Sequence, residues 1–293
     1  MKRFFPSLVA IFVVAGCKPE SAAPSPSKPD RQIHPARGIV QAIPPDQRRA
    51  TIKHEKIPGY MAAMTMDLSV KDTNELSGIS AGDEITFNMI VTADDDWIEN
   101  IRRTGQSVAV SPAPVWRVVE SELKVGDMLP DHEFTGETGR MIRFSDFRGR
   151  AVAFTFFFTS CPLPEFCPRM NRNFAEARKI LAADANGPTN WEFISISFDS
   201  SFDTPQILSG YGSFYRGESA DHWLFAVAST NTLASLGPKV DLNFWRENGS
   251  ITHNLRTVVL DGSGKIFKQF DGNDWTPAQL ADAIRAAAKS NSP

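Results

Sequence analysis

Cys161 and Cys167 stand in Thr-Ser-Cys-Pro-Leu-Pro-Glu-Phe-Cys-Pro, with five residues between them. An almost wholly apolar run, 151–158, precedes this stretch, and a segment of helical periodicity follows it. Two thiols on a short loop between a buried strand and a helix start can do two kinds of chemistry. They can form and exchange a disulfide, or bind a soft metal as thiolates. A thiol at a helix N-terminus faces the positive end of the macrodipole and unpaired N–H groups, so its pKa is expected to fall. Pro162, Pro164 and Pro168 stiffen the loop. A purely structural disulfide here would close a very short loop for little entropic gain, which favours a redox or metal role.

A third donor must come from elsewhere. His253 lies in Ser-Ile-Thr-His-Asn-Leu, just before a predicted strand at 257–260. From there it can face the cysteine loop across the sheet end, and position alone favours it over His132. His132 and His222 read as solvated loop histidines, and His34 falls in a tether. A second donor set lies upstream. Met64, Met66, Leu68 and Val70 share one face of a predicted strand, and His54 shares a face with Ile52 on the strand before it. One imidazole and two thioethers suit Cu(I). The competing reading makes the methionines core filler and His54 a surface residue; parity does not separate the two.

The elements that must position these donors fall into two groups. Predicted strands at 38–43, 49–54, 64–70, 84–92 and 97–103 suggest a small all-β, OB-like barrel. Beyond residue 116 strands alternate with helices. Strands are expected at 140–144, 151–158, 191–198, 223–227, 257–260 and 265–270. Helices are expected from 168 to 183, from Thr204-Pro205, and from Thr276-Pro277 to 289. This order is that of a thioredoxin-like α/β domain. The net charge of −3 over 293 residues gives no basic field, so no nucleic-acid partner is expected.

The N-terminus has its own pattern. Lys2 and Arg3 precede an apolar run from Phe4 to Val14, too short for a permanent span, and then Val-Ala-Gly-Cys17. This resembles a bacterial lipoprotein signal cleaved before Cys17, which implies lipidation of that cysteine and anchoring on the periplasmic side of a membrane. It also leaves Cys161 and Cys167 as the thiol pair of the mature chain. Residues 1–17 are thus read as the signal, 18–35 as a Pro/Ser/Ala tether, 36–106 as the barrel, 107–116 as a linker and 117–289 as the α/β domain.

Two further resemblances follow from motifs. His54-Glu-Lys-Ile-Pro-Gly-Tyr-Met61-Ala-Ala-Met64-Thr-Met66 is similar to the metal-binding segment of the CusF-like periplasmic copper proteins. That family binds Cu(I) through a histidine and a Met-Thr-Met pair capped by tryptophan. The resemblance implies the same role for His54, Met64 and Met66. Here Met61 stands where the tryptophan is expected. Met61 adds a third sulfur only if the chain is irregular at that point, and Tyr60 is the alternative aromatic cover. In the second domain, Phe-Thr-Ser-Cys-Pro, a second Cys-Pro, Asp203-Thr-Pro and a late histidine before Val-Val-Leu-Asp-Gly resemble the Sco/SenC family. That resemblance implies copper, Cu(I) or Cu(II), on Cys161, Cys167 and His253. It also implies delivery to an apo partner such as the copper subunit of cytochrome c oxidase. The family's cysteines are separated by three residues, and this chain has five.

The expected function is a membrane-tethered copper chaperone. A thiol–disulfide reductase working on the copper-receiving partner, with Cys161 and Cys167 as its redox pair, is the alternative. Copper buffering or resistance without delivery is a third reading. A generic thioredoxin is disfavoured because Cys-x-x-Cys is absent.

Overall fold

The computed structural model describes Met1, residues 31–110 and residues 123–290, apart from 46, 218, 220, 248 and 249. The predicted signal, Cys17, most of the tether and part of the linker lie outside the described residues. Among those described, no helix is long and apolar enough to cross a membrane.

The first module is one antiparallel sheet. Its strands are β1 (Gln32–Ala42), β2 (Arg49–His54), β3 (Met64–Ser69), β4 (Asp83–Val91) and β5 (Asp96–Ser107), ordered β3-β2-β1-β4-β5. The sheet curls until Val70, just past β3, bridges Ile98 of β5. No full ladder joins these edges among the described residues, so the expected barrel is a curled sheet closed at one point. The alternation read from sequence holds in β3, where Met64, Met66 and Leu68 are buried and the residues between them are not. β1 begins earlier than expected. It pairs with β4 from Gln32↔Val91 onward, which puts His34 inside a strand opposite Met89 rather than in a tether.

The second module is a seven-stranded mixed sheet, built from β6 (Glu133–Gly136), β7 (Met141–Arg143), β8 (Ala151–Phe157), β9 (Trp191–Ser197), β10 (Trp223–Val227), β13 (Arg256–Leu260) and β14 (Ile266–Asp271). Its order is β14-β13-β8-β9-β10-β6-β7. β8, β9 and β10 run parallel, and β13 lies antiparallel to β8. β8 and β9 are buried along their whole length, as continuous apolar strands covered on both faces should be. The helices are α1 (Cys167–Ala182), α2 (Pro205–Arg216), α3 (Thr230–Leu236) and α4 (Pro277–Lys289). Thr204 and Thr276 cap α2 and α4 by accepting from Ile207 and Gln279 N–H, with proline in the first turn of each. The segment before β13, for which the sequence predicts no element, forms a hairpin of β11 (Phe244–Glu247) and β12 (Ser250–His253).

Candidate metal centre

The cysteine loop is anchored before it begins. Thr159 N–H donates to Asp203 Oδ2 at 3.1 Å, its hydroxyl also bonds Asp203, and Ser197 donates to the same carboxylate at 2.5 Å. Asp203 is buried and ties the end of β8 to the end of β9. Cys167 is the first residue of α1 and fully buried, while Cys161 is half-buried and both thiols are free. Asn171 donates to the Cys167 carbonyl at 3.1 Å and accepts from Ser195 at 2.8 Å, fixing the helix start on β9.

β12 then delivers His253. Its Nε2 lies 3.5 Å from Cys167 Sγ, and its Nδ1–H donates to the Asn254 carbonyl at 2.7 Å. That carbonyl bond leaves the lone pair on Nε2, on the sulfur side. Phe158 and Phe198 close over the ring at 5.8 and 4.6 Å between centroids. Burial lowers the His253 pKa to about 4, so the imidazole is neutral near pH 7.

The two thiols differ in the opposite sense to the sequence expectation. Burial works against ionising Cys161, but hydrogen bonds from Cys167 and from backbone at Leu163 and Cys167 outweigh it and lower its pKa. Burial, and then the hydrogen bond and charge of Cys161, push Cys167 well above the ordinary thiol range. The acidic thiol is therefore Cys161 on the loop, not Cys167 at the helix start. Full desolvation of Cys167 overrides the helix dipole.

The first module holds the second donor set. His54 is paired directly opposite Met64 across β2 and β3, and Ile52 is opposite Met66. His54 Nδ1–H donates to the Glu55 carbonyl at 2.7 Å, the same arrangement as at His253, and Nε2 again carries the lone pair. Gly38 faces His54 on β1. A Cβ at Gly38 would meet Ile52 Cγ2 at 2.6 Å and His54 Cα at 2.9 Å, so only glycine lets the strands approach this closely. The chain is irregular at Met61. A turn through Gly59, φ +74°, bridges Ile57 to Met61 and buries Met61 beside Met64 and Met66. Tyr60 stacks on His34 at 4.4 Å, and its hydroxyl donates to the Pro162 carbonyl at 3.2 Å.

That last bond shows what the longer cysteine loop does. Leu163 is buried in the core of the first module. Glu165 N–H donates to Asp96 Oδ1 at 3.0 Å, and Asn273 holds the Glu165 carbonyl at 2.7 Å. Arg172 spans the carbonyls of Pro164 and Asp94, both at 3.0 Å. Burial raises Asp96 to about 7 against the opposing Glu165 N–H bond. The loop thus docks the second module on the first. Met64 and Met66 on one side, and Cys161 and His253 on the other, line one cavity of about 420 Å³. Among the described residues, no three His, Cys, Asp or Glu side chains already stand in metal-binding geometry.

The other two histidines of this module lie elsewhere, His132 buried and His222 half-buried. His132 is buried between the Pro130 carbonyl at 2.7 Å and Ser235 at 3.2 Å. His222 stacks on Trp191 at 4.3 Å and bonds its carbonyl. Sequence reasoning missed Asp96, Leu163 and Thr252 as contacts between modules. Asp203 was visible only as part of its Asp-Thr-Pro helix start.

Residues 33–103 match the family described as copper binding periplasmic protein CusF, and residues 121–289 match SCO1/SenC. No protein of curated function matches the chain by sequence. A SCO1/SenC family lipoprotein from Bacillus anthracis is 24% identical at a TM-score of 0.50, covering 57% of this chain and 96% of its own. That likeness is one of fold. Copper-bound ScoI from Arabidopsis thaliana is 16% identical at a TM-score of 0.48, covering 56% and 99%. Copper-bound yeast Sco1 is 17% identical at 0.48, covering 57% and 91%. With more than half of its residues matched by one family model, the chain belongs to the SCO1/SenC family and carries a CusF-like domain ahead of that fold.

Proposed function

We propose that this protein is a copper chaperone, lipid-anchored through Cys17 on the periplasmic side of a bacterial membrane. In this reading Cys161, Cys167 and His253 hold copper in the second domain. His54, Met64 and Met66, with Met61, hold Cu(I) in the first. The recipient is an apo copper-binding protein such as the copper subunit of cytochrome c oxidase.

One observation carries the reading. A histidine 86 positions from Cys167 presents the lone pair of a neutral imidazole to that thiol at 3.5 Å, with the Cys161 thiol hydrogen-bonded to the same Cys167 side chain. Two thiolates and an imidazole are a soft set that accepts copper in either oxidation state. Binding releases the thiol protons. Anaerobic copper titration of the full chain tests it. Replacing both cysteines, Cys161→Ala with Cys167→Ala, should abolish the tightest site, and an unchanged tight site would refute the reading.

A second reading is favoured by the contrast between the thiols. The more acidic, half-exposed Cys161 is placed to attack a partner's disulfide, and buried Cys167 to resolve the mixed disulfide. The partner gains two thiols, and Cys161–Cys167 becomes the disulfide. Exchange activity that survives His253→Ala is expected of a reductase, and its loss in that variant would count against one.

A further inference from the structure

The donors of the two domains divide by depth. Met64, Met66, Cys161 and His253 line the shared cavity, while His54 and Cys167 are not part of its lining. His54 is paired with Met64 on the neighbouring strand, and Cys167, at the start of α1, lies 3.5 Å from His253 Nε2. The two halves are held in this relation by the Leu163 insertion, the Glu165–Asp96 bond and Thr252, whose hydroxyl donates to the Thr65 carbonyl at 3.3 Å.

We propose that the cavity is a transfer chamber with a third, mixed metal site. There Cu(I) is held by the thioethers of Met64 and Met66 together with the Cys161 thiolate and His253 Nε2. This rests on the copper reading above and extends it to the route between the two domains. Four donors from one strand, one loop and one hairpin suit Cu(I) as well as either end site does. The ion exchanges ligands one or two at a time. Cys161 and His253 bind as His54 leaves, and Cys167 binds as Met64 and Met66 leave. Each thiol gives its proton to solvent as its copper–sulfur bond forms. Copper stays Cu(I) and no electron is transferred. Neutral thioethers are exchanged for charged thiolates, so the direction runs from the first domain to the second.

The test uses the full chain under anaerobic, reducing conditions with Cu(I) alone as probe. In a His54→Ala/Met61→Leu/Cys167→Ala background only the four cavity donors remain. One Cu(I) should still bind, measured by competition with a chromogenic chelator. Adding Met64→Leu with Met66→Leu, or Cys161→Ala, should each weaken it at least about tenfold. Binding unaffected by the methionines would overturn the inference.

Should the background variant lose its fold by circular dichroism, the wild type gives a second measurement. Cu(I) is loaded while Cys161 and Cys167 are held as a disulfide, which is then reduced beside excess chelator. Retention of copper by the chain supports the chamber, and full capture by the chelator overturns it. A wild type that binds no copper at all would instead refute the functional reading.

Discussion

Thr252 donates its hydroxyl to the carbonyl oxygen of Thr65 at 3.3 Å, across the junction of the two domains. Thr65 lies between Met64 and Met66, and Thr252 immediately precedes His253. Two candidate ligand sets far apart in sequence are thus set against each other by a side chain next to a ligand on one side and a backbone carbonyl between ligands on the other. The hairpin β11–β12 carries that approach: His253, its last residue, reaches Cys167 Sγ at 3.5 Å.

Leu163 is 5% exposed and buried in the core of the CusF-like domain, although it belongs to the loop of the other domain. Leu163→Ala should cost about 3 kcal/mol, within the usual range for deleting a buried leucine. The loss should fall on docking, so calorimetry should resolve two melting transitions in place of one. A single unshifted transition would show that the loop does not hold the domains together.

Asp96 and His253 give opposing pH dependences. The folded-state pKa of Asp96 is raised to about 7, and its second oxygen has no hydrogen-bond partner. As pH rises from about 4 to about 7 the unfolded chain gives up this proton and the folded chain keeps it, so stability falls by up to about 4 kcal/mol. His253 is lowered to about 4. As pH falls from about 6.5 to about 4 the unfolded chain gains a proton that the folded chain refuses, costing about 3 kcal/mol. Asp96→Asn should remove the falling slope that Asp96 contributes, and urea unfolding should then show stability rising more toward neutral pH than in the wild type. A profile parallel to that of the wild type would contradict the assignment.

Alkylation should distinguish the thiols. Cys161 is half-exposed with a lowered pKa, and Cys167 is fully buried with a raised one. Iodoacetamide followed by peptide mass spectrometry should find Cys161 modified at least about tenfold faster, since the thiolate is the nucleophile. Equal rates would remove the basis for treating Cys161 as the attacking sulfur.

Gly38→Ala tests the first donor set without touching a ligand. The new Cβ would lie 2.8 Å from the Lys53 carbonyl oxygen and 2.9 Å from His54 Cα, and neither backbone atom can yield without moving β2. Overpacking of this kind costs about 1–3 kcal/mol. Copper titration should show the His54, Met64 and Met66 site weakened, with the thiolate site intact. Two undisturbed sites would mean that the strand approach at Gly38 does not position His54.

The sequence made much of this legible where one strand or helix decides the outcome. The period of two placed Met64, Met66 and Leu68 on one buried face, and the unbroken apolar run located β8. Proline after threonine marked the starts of α2 and α4. What stayed hidden depends on contacts between segments. His34 looked like tether because its flanks are rich in proline and polar residues, yet β4 supplies a full ladder partner for β1. The hairpin carrying His253 has only four residues per strand, too few for a period to show. The extra length between Cys161 and Cys167 was visible as an insertion, but nothing in the loop's composition names Asp96 or the first-domain core as its partner. The order of thiol acidity also ran against the helix-terminus rule, because complete burial of Cys167 is a tertiary fact.

The shared cavity also sets a local dose. An ion in the proposed mixed site, within a cavity of about 420 Å³, would meet donors at an effective concentration on the order of molar, far above what diffusion through solvent supplies. In the proposed mixed site, copper held between Met64 and Cys161 would therefore be kept by local donor concentration as well as by bond strength, so that modest donors could retain a scarce metal.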